Sequence, residues 1–258
     1  MFKSVTVIGA GLMGSGIAAH LTNAGIKVNL LDVIAEGNDN PNYIADSAVS
    51  TLTKITPNPL TLKSNINLIR TGNIQNDLHL INESEWVIEA IIEDLDIKKQ
   101  LYNQIETIMR EDLIVSSNTS TIPLCKLVEG RIRKFKRNFF ITHFFNPPRY
   151  LKLLEIVSSE DVNPDFRNRI IDFCNTNLGK SVIECKDTPG FIANRIAVFW
   201  MLNAAVEAIN SNLSVEEADQ IIMRIFNTPK TGVFGLIDLV GLDIVPPVLE
   251  SLLNILPK

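Results

Sequence analysis

Residues 4–26 carry no charged side chain and join two different hydrophobic patterns. Residues 5–8 form a short run of apolar and β-branched side chains, which is typical of a buried strand. Met13, Ile17 and Leu21 then recur every four residues, as they do on one face of a helix. Because glycines separate the two patterns, the segment predicts a buried strand, a glycine turn and a helix.

The alternation of strand and helix patterns continues to about residue 185. Six further runs are predicted strands: Lys27–Leu31, Trp86–Glu89, Leu113–Ser117, Phe139–His143, Lys152–Val157 and Ser181–Glu184. Strands that alternate with helices predict an α/β fold with a Rossmann-like, doubly wound, mainly parallel sheet. In the predicted helix 94–109, the apolar positions at helical spacing are expected in the core: Ile97, Leu101, Ile105 and Ile108.

The pattern changes near residue 185, just before a Pro-Gly pair at 189–190. Beyond it we find helical patterns at 192–210, at 215–226 and near Leu236, without strand alternation. We therefore predict two domains. The sheet domain spans residues 1–185, and a small all-helical domain spans residues 186–258.

Composition limits the classes of function. A net charge of −5, with one basic cluster at residues 131–137, argues against nucleic acid as the main partner. Three cysteines without a CxxC motif suit a cytoplasmic protein and predict no structural metal site. Residues 4–26 have the length of a membrane span, but their glycines and the missing cationic start predict neither insertion nor export.

The predicted glycine turn has the GxGxxG spacing of a dinucleotide-binding motif, at Gly9, Gly11 and Gly14. Gly9 allows a tight turn, Gly11 lets a pyrophosphate approach the backbone, and Gly14 lets the helix pack on the strand. Leu12 and Met13 open the helix, whose free N–H groups and positive end suit phosphates. The glycines alone would also fit an ordinary turn.

An acid at the expected distance strengthens the nucleotide-binding interpretation. Asp32 follows the second predicted strand, 18 residues after Gly14, and this separation is typical of a carboxylate that binds the adenosine ribose. Because a carboxylate repels the additional phosphate of NADP, Asp32 predicts NAD as the cofactor.

Two predicted strands are joined by residues 146–148, Asn-Pro-Pro, which cannot continue a strand ladder. Folding about residue 149 places His143 opposite Glu155. A carboxylate fixes the tautomer of an imidazole and stabilises its protonated form, so the pair fits a general base. Taken alone, the pair fits better a strand histidine that satisfies a buried carboxylate. A catalytic role requires the ring to lie at the mouth of the cleft above the glycine turn, not in the interior.

Polar residues follow several predicted strands, and parallel strands end at one edge of a sheet. We therefore expect the following residues to crowd one edge: Glu89, Ser117, Asn118, Ser120 and His143.

Six segments in order resemble the 3-hydroxyacyl-CoA dehydrogenase family, the NAD-linked enzymes of fatty-acid β-oxidation. They are VIGAGLMGSGIA, VIEAIIEDLDIKK, SSNTSTIPL, HFFNPPRYLKLLEIV, CKDTPGFIANRI and GLIDLVGLD. The fourth segment is most similar to the long bacterial multifunctional form, in which the dehydrogenase part comes first and an enoyl-CoA hydratase part later. The resemblance implies oxidation of L-3-hydroxyacyl-CoA to 3-ketoacyl-CoA with NAD.

The resemblance also implies roles for individual residues. His143 is the base and Glu155 its partner, while Asn194 and Ser120 hold the substrate and polarise its 3-oxygen. Further residues are implied to contact the cofactor: Glu93, Lys98, Ser120 and Asn146. Ser47 and Lys54 lie where the family binds coenzyme A.

Several of these residues have ordinary alternatives. Asn194 would also fit a helix cap or an interdomain hydrogen bond, and Ser120 a turn hydroxyl. Glu93 and Lys98 would also fit exposed charges at the start of a helix. A related class of NAD-linked dehydrogenases acts on free β-hydroxy acids, but its catalytic lysine is missing from GFIANRIAVFW.

The resemblance ends at about residue 243, whereas family members continue into further helix and a Gly-, Lys- and aromatic-rich segment. We therefore expect a truncated chain with an incomplete helical domain. Apolar surface left uncovered predicts a homodimer through that domain, or association with a separate C-terminal half. The alternative to an active enzyme is a non-catalytic remnant that binds NAD or a partner.

Overall fold

The computed structural model describes residues 2–226 and 231–241. The chain separates into two compact units, Met1–Asp187 and Thr188–Lys258. The last two residues of the GLIDLVGLD segment and the end of the chain at 257–258 lie outside the described residues.

The first unit is built on one sheet of eight strands. The strands are β1 Ser4–Ile8, β2 Lys27–Asp32, β3 Ile69–Asn73, β4 Trp86–Glu89, β5 Ile114–Ser117, β6 Phe139–Phe144, β7 Leu153–Val157 and β8 Ser181–Cys185. The helices are α1 Leu12–Asn23, α2 Tyr43–Leu52, α3 Ile74–Asp77, α4 Leu95–Ile108, α5 Leu124–Leu127, α6 Arg133–Asn138 and α7 Pro164–Thr176, with 3₁₀ turns at Lys63–Leu68 and Leu78–Glu83.

The strand order is β3-β2-β1-β4-β5-β6-β7-β8. Strands β1 to β6 are parallel, whereas β7 pairs with β6 in the antiparallel sense and β8 follows β7. The direction of progression reverses at β1, between β2 and β4, which is where doubly wound sheets bind their ligands. The predicted fold class, a mainly parallel Rossmann-like sheet followed by helices, is therefore confirmed.

The buried strands explain why the sheet forms. All four residues of β4 and all six of β6 are buried, as expected for parallel strands covered on both faces. At the amino ends of β1 and β4, Phe2 and Trp86 pack with Phe173 of α7, with ring centroids 4.9 to 6.3 Å apart. This layer supports the end of the sheet opposite to the glycine turn.

Two details of the prediction were wrong. Strand β3 was not predicted, because its sequence IRTGN lacks an apolar pattern; it forms by pairing along β2 at the edge of the sheet. Ile97 was expected in the core but is 41% exposed. Leu101 and Ile105 are buried as predicted, but the helix is rotated so that Lys98 and Tyr102 are buried in place of Ile97, since both bind a carboxylate under the helix.

The second unit contains α8 Ala193–Asn210, α9 Val215–Phe226 and α10 Phe234–Val240. Val198, Met201, Ile222 and Val233 form its small core. The Asp219 carboxylate accepts hydrogen bonds from two backbone N–H groups at the start of α10, at 2.7 and 3.0 Å, which joins α9 to α10.

Large apolar side chains remain exposed on the described part of this unit. They include Phe199 (70%), Ile209 (71%) and Ile225 (69%). Over the described residues, no helix combines the length and the apolar character that crossing a membrane would require.

Candidate active site

The predicted glycine turn lies between β1 and α1, and its conformation requires glycine at two positions. Gly9 has a φ of +103°, and a Cβ atom there would lie 2.4 Å from the carbonyl oxygen of Ala90. A Cβ atom on Gly14 would lie 1.8 Å from the carbonyl oxygen of Gly9. The helix therefore packs directly on the turn, and the turn packs directly on the segment that follows β4.

The remaining glycine of the motif, Gly11, faces open space. A Cβ atom on Gly11 would meet nothing within 4 Å, and no side chain among the described residues caps the helix that begins at Leu12. Leu12 is 67% exposed and Met13 is half-buried. The first N–H groups of α1 are thus available to a phosphate that approaches the backbone, which is the arrangement that the pyrophosphate of NAD requires.

Asp32 ends β2 beside this turn. One carboxylate oxygen accepts a hydrogen bond from the N–H of Ala10 at 2.5 Å, and the other accepts one from the N–H of Val33 at 2.7 Å. The side chain is half-exposed, so the remaining lone pairs can accept hydroxyl groups of a ribose. The residues present therefore fit a bound dinucleotide.

His143 and Glu155 face each other in the antiparallel ladder of β6 and β7, as predicted. The imidazole Nδ1 lies 2.8 Å from Oε2 of Glu155. Because a carboxylate only accepts hydrogen bonds, Nδ1 carries the proton and Nε2 is the basic nitrogen of the ring. The thiol of Cys185 lies 3.8 Å from the second oxygen of Glu155. The ring centroids of Phe145 and His143 are 4.4 Å apart.

The exposure of His143 differs from the expectation. The residue lies at the carboxyl end of β6, but only 6% of its surface is exposed. A substrate can therefore reach only a small part of the imidazole. The connection that follows β6 does approach the nucleotide helix, since Pro148 would lie 3.1 Å from a Cβ atom on Gly16.

The predicted crowding at the edge of the sheet is confirmed for strands β4 to β6. The hydroxyl of Ser117 donates to Glu89 at 2.7 Å, and the N–H of Asn118 donates to the carbonyl of Glu89 at 2.7 Å. The Asn118 side chain in turn accepts the N–H of Phe144, next to His143, at 2.9 Å.

Lys98 is a buried residue, so its interpretation as an exposed charge is wrong. Only 1% of its side chain is exposed, and its ammonium lies 2.6 Å from a carboxylate oxygen of Glu89 and 3.4 Å from one of Glu93. The hydroxyl of Tyr102 donates to the other oxygen of Glu89 at 2.6 Å. The sequence of α4 did not predict these hydrogen bonds of Lys98 and Tyr102, because the carboxylate that both residues bind, Glu89, lies on β4.

Glu93 holds the loop that contains Ser120. Its Oε1 accepts the N–H groups of Ser120 and Thr121, both at 3.1 Å, and the hydroxyl groups of Thr121 and Thr119. Burial would raise the pKa of this carboxyl, but the charge of Lys98 and the threonine hydrogen bonds outweigh burial and lower the pKa. The carboxylate is therefore ionised at neutral pH and organises residues 119–121.

The remaining candidates belong to other elements. Asn146 is exposed in the connection after β6, Ser47 is half-buried in α2, and Lys54 is exposed just after α2. Asn194 belongs to the second unit and is the second residue of α8, whose cap is Ile192. The cap interpretation of Asn194 is therefore wrong.

Comparisons with known proteins identify the family. Residues 4–188 match the family description "3-hydroxyacyl-CoA dehydrogenase, NAD binding domain", and residues 190–256 match "3-hydroxyacyl-CoA dehydrogenase, C-terminal domain". The predicted cofactor, NAD, is thereby confirmed.

Individual relatives agree with this result. A fatty acid oxidation complex trifunctional enzyme of Rickettsia felis is 46% identical over 99% of this chain, which spans only 35% of that protein's length. A 3-hydroxyacyl-CoA dehydrogenase of Deinococcus radiodurans is 38% identical over 99% of this chain and 74% of its own. The solved structure of (S)-3-hydroxybutyryl-CoA dehydrogenase from Ralstonia eutropha matches with a TM-score of 0.82 and 28% identity, over 98% of this chain and 88% of that one. The chain belongs to the 3-hydroxyacyl-CoA dehydrogenase family.

Proposed function

We propose that this chain interconverts L-3-hydroxyacyl-CoA and 3-ketoacyl-CoA with NAD, as a step of fatty-acid β-oxidation in the cytoplasm. The observation that carries the proposal is the hydrogen bond of 2.8 Å between His143 and Glu155, at the same edge of the sheet as the glycine turn. The name of the Rickettsia relative supports fatty-acid oxidation. The name of the Ralstonia relative supports the (S) isomer, which is the L series.

The residues of this chain supply the proton chemistry. Bound NAD would accept the hydride from the carbinol carbon. His143 takes the hydroxyl proton on Nε2, and the Glu155 carboxylate stabilises the imidazolium that results. Because Glu155 is fully buried and bonded to Nδ1, it also keeps the ring from turning.

Other residues bind and orient the two ligands. In this proposal Asn194 and Ser120 hold the 3-oxygen, and Ser47 and Lys54 contact coenzyme A. The pyrophosphate of NAD would lie on the helix start, at Gly9, Gly11, Leu12, Met13 and Gly14, and Asp32 would bind the ribose. Glu93, Lys98 and Asn146 are assigned to the same cofactor site. For Glu93 and Lys98 this is supported by the ion pair between them and by the hydrogen bond from the loop of Ser120 to Glu93.

The test is the oxidation of NADH with acetoacetyl-CoA by the wild-type chain and by His143→Ala and Glu155→Gln. We expect His143→Ala to lower kcat by about 10²- to 10⁴-fold, the range for loss of a general acid or base. Glu155→Gln should lower kcat less, because the base remains. The matched control is His79→Ala, since His79 is an exposed histidine bonded only locally, to the carbonyl of Asn76 among the described residues.

Equal rates for the wild type and His143→Ala would remove His143 from the mechanism. A wild-type chain that binds NADH but shows no turnover would support the non-catalytic remnant instead.

We further propose that the exposed apolar side chains of the second unit are covered by a second copy of the chain. Phe199 and Phe226 border a groove between α8 and α9 with a volume of about 380 Å³, and both are more than 60% exposed. Apolar surface of this extent typically marks an interaction site.

A further inference from the structure

Glu89 is the centre of a buried polar network that the proposed chemistry does not use. The residue ends β4 and is 0% exposed. Four donors converge on its two oxygens: the N–H of Ile91 at 2.9 Å, the Lys98 ammonium at 2.6 Å, and the hydroxyls of Tyr102 at 2.6 Å and Ser117 at 2.7 Å. Such a carboxylate is fully satisfied, and each donor is held in one position.

The position of Glu89 links the two halves of the site. The residue after it, Ala90, lies against Gly9, so the segment that leaves β4 forms one wall of the glycine turn. The backbone carbonyl of Glu89 accepts the N–H of Asn118. The side chain of Asn118 in turn accepts the N–H of Phe144, next to His143. Glu89 therefore lies between the nucleotide turn and the proposed base.

The charge of Glu89 also sets the position of Lys98. The buried ammonium of Lys98 lies between two carboxylates and is held mainly by the closer one, Glu89. The same ammonium lies 3.4 Å from a carboxylate oxygen of Glu93 and attracts it. Glu93 in turn anchors residues 119–121 through four hydrogen bonds. A single buried charge thus organises both the segment 90–93 and the loop 118–121.

We propose that Glu89 is a positioning residue for the cofactor: it acts through Lys98 and Ser117 to hold the segments 90–93 and 118–121 where NAD is bound. The expected effect on NADH affinity requires only that residues 4–188 are an NAD-binding domain. The expected effect on turnover rests in addition on the proposed function. The competing explanation is that Glu89 merely stabilises the fold as a partner of buried donors.

The test is Glu89→Gln, measured by NADH affinity, by kcat and KM for acetoacetyl-CoA, and by Tm. Glutamine keeps the shape but carries no charge, and its NH₂ group replaces one acceptor, so the ammonium of Lys98 loses its nearest counter-charge. We expect the Kd for NADH to rise about tenfold, the effect of losing one charge-assisted hydrogen bond. The KM for acetoacetyl-CoA should rise as well, because the loop 118–121 contains Ser120, which is proposed to hold the 3-oxygen of the substrate; the Kd for NADH is therefore the deciding measurement.

Two controls separate positioning from stability. Tyr102→Phe also removes a hydrogen bond from Glu89 but keeps the carboxylate charge that holds Lys98, so this variant should lower Tm and change the Kd for NADH much less than Glu89→Gln does. Glu85→Gln alters a carboxylate just before the same strand, where Arg169 and the N–H of Lys3 bind it, and should affect Tm alone.

Wild-type NADH affinity in Glu89→Gln would overturn the proposal, and so would an equal loss of affinity in Tyr102→Phe. If Glu89→Gln does not fold, Ser117→Ala decides, because Ser117 links Glu89 to the N–H of Thr119 at 3.3 Å. We expect this variant to raise the Kd about threefold, and an unchanged Kd would refute the positioning role. NADH affinity is measured without substrate, so a failure of the proposed turnover leaves this test intact.

Discussion

At the scale of single residues, Asp32 makes the sharpest prediction about the cofactor. Asp32→Asn keeps an oxygen that can accept the N–H of Ala10 but removes the negative charge beside the ribose site. We expect the preference for NADH over NADPH, measured as a ratio of Kd values by calorimetry, to fall at least about tenfold, because the repulsion of the additional phosphate is lost.

Asp172→Asn is the matched control, since Asp172 is an exposed aspartate of α7. Equal affinities for NADH and NADPH in the wild-type chain would defeat the role given to Asp32.

Some features of single residues could be predicted from the sequence and others could not. The facing of His143 and Glu155 was predictable, because Asn-Pro-Pro must interrupt the ladder and an antiparallel return then fixes the register. The burial of Lys98 was not predictable, because it depends on a carboxylate nine positions away on a different element. The roles that the family resemblance assigns to individual residues stay predictions.

At the scale of elements, local patterns located seven of the eight strands and the helices α4, α8 and α9 to within one residue, whereas they did not locate α2, α3, α5, α6 and α7. The exceptions have physical causes. Strand β3 is short and polar and is stabilised by pairing with β2, and the orientation of α4 is set by the polar partners under it as well as by its apolar positions. Hydrophobic periodicity carries no information about either contact.

The packing of α1 predicts a pH dependence of stability. His20 of this helix is buried, and its Nε2 lies 3.1 Å from the carbonyl of Leu178, after α7. Burial, together with the charges of Lys180 and Arg149, lowers the pKa of His20 to about 4. Above pH 6.5 the ring is neutral in both states. Between pH 6.5 and 4 the unfolded chain binds a proton that the folded chain excludes, so the free energy of unfolding falls as the pH falls.

His20→Gln should remove this pH dependence, because an amide can still donate to the carbonyl of Leu178 but does not titrate. Urea unfolding at pH 7 and pH 4.5 should show a loss in the wild type that exceeds the loss in the variant by up to about 3 kcal/mol. The exposed residue His79 provides the matched substitution, His79→Gln, which should keep the wild-type pH dependence. The same pH dependence in His20→Gln and the wild type would contradict the assignment.

At the scale of the whole molecule, the exposed apolar side chains of the second unit predict association. We expect sedimentation of the wild-type chain at micromolar concentration to show a dimer, because isolated proteins rarely expose apolar patches of this size. Phe199→Lys places a charge in the apolar groove and should shift the chain to the monomer.

The control is Ile132→Lys, which places the same charge at an exposed apolar residue of the first unit. A wild-type chain that sediments as a monomer would contradict the dimer.

The antiparallel return of β7 has a consequence for how such proteins diversify. The imidazole and its acidic partner are joined by a single short connection, residues 145–152, and their alignment is fixed by the ladder on either side. Insertions or deletions in that connection would change the segment beside the nucleotide helix, where Pro148 lies against Gly16, while the ladder keeps the alignment of the two side chains the same. The surroundings of the nucleotide helix can therefore vary in evolution without disturbing the pairing of His143 with Glu155.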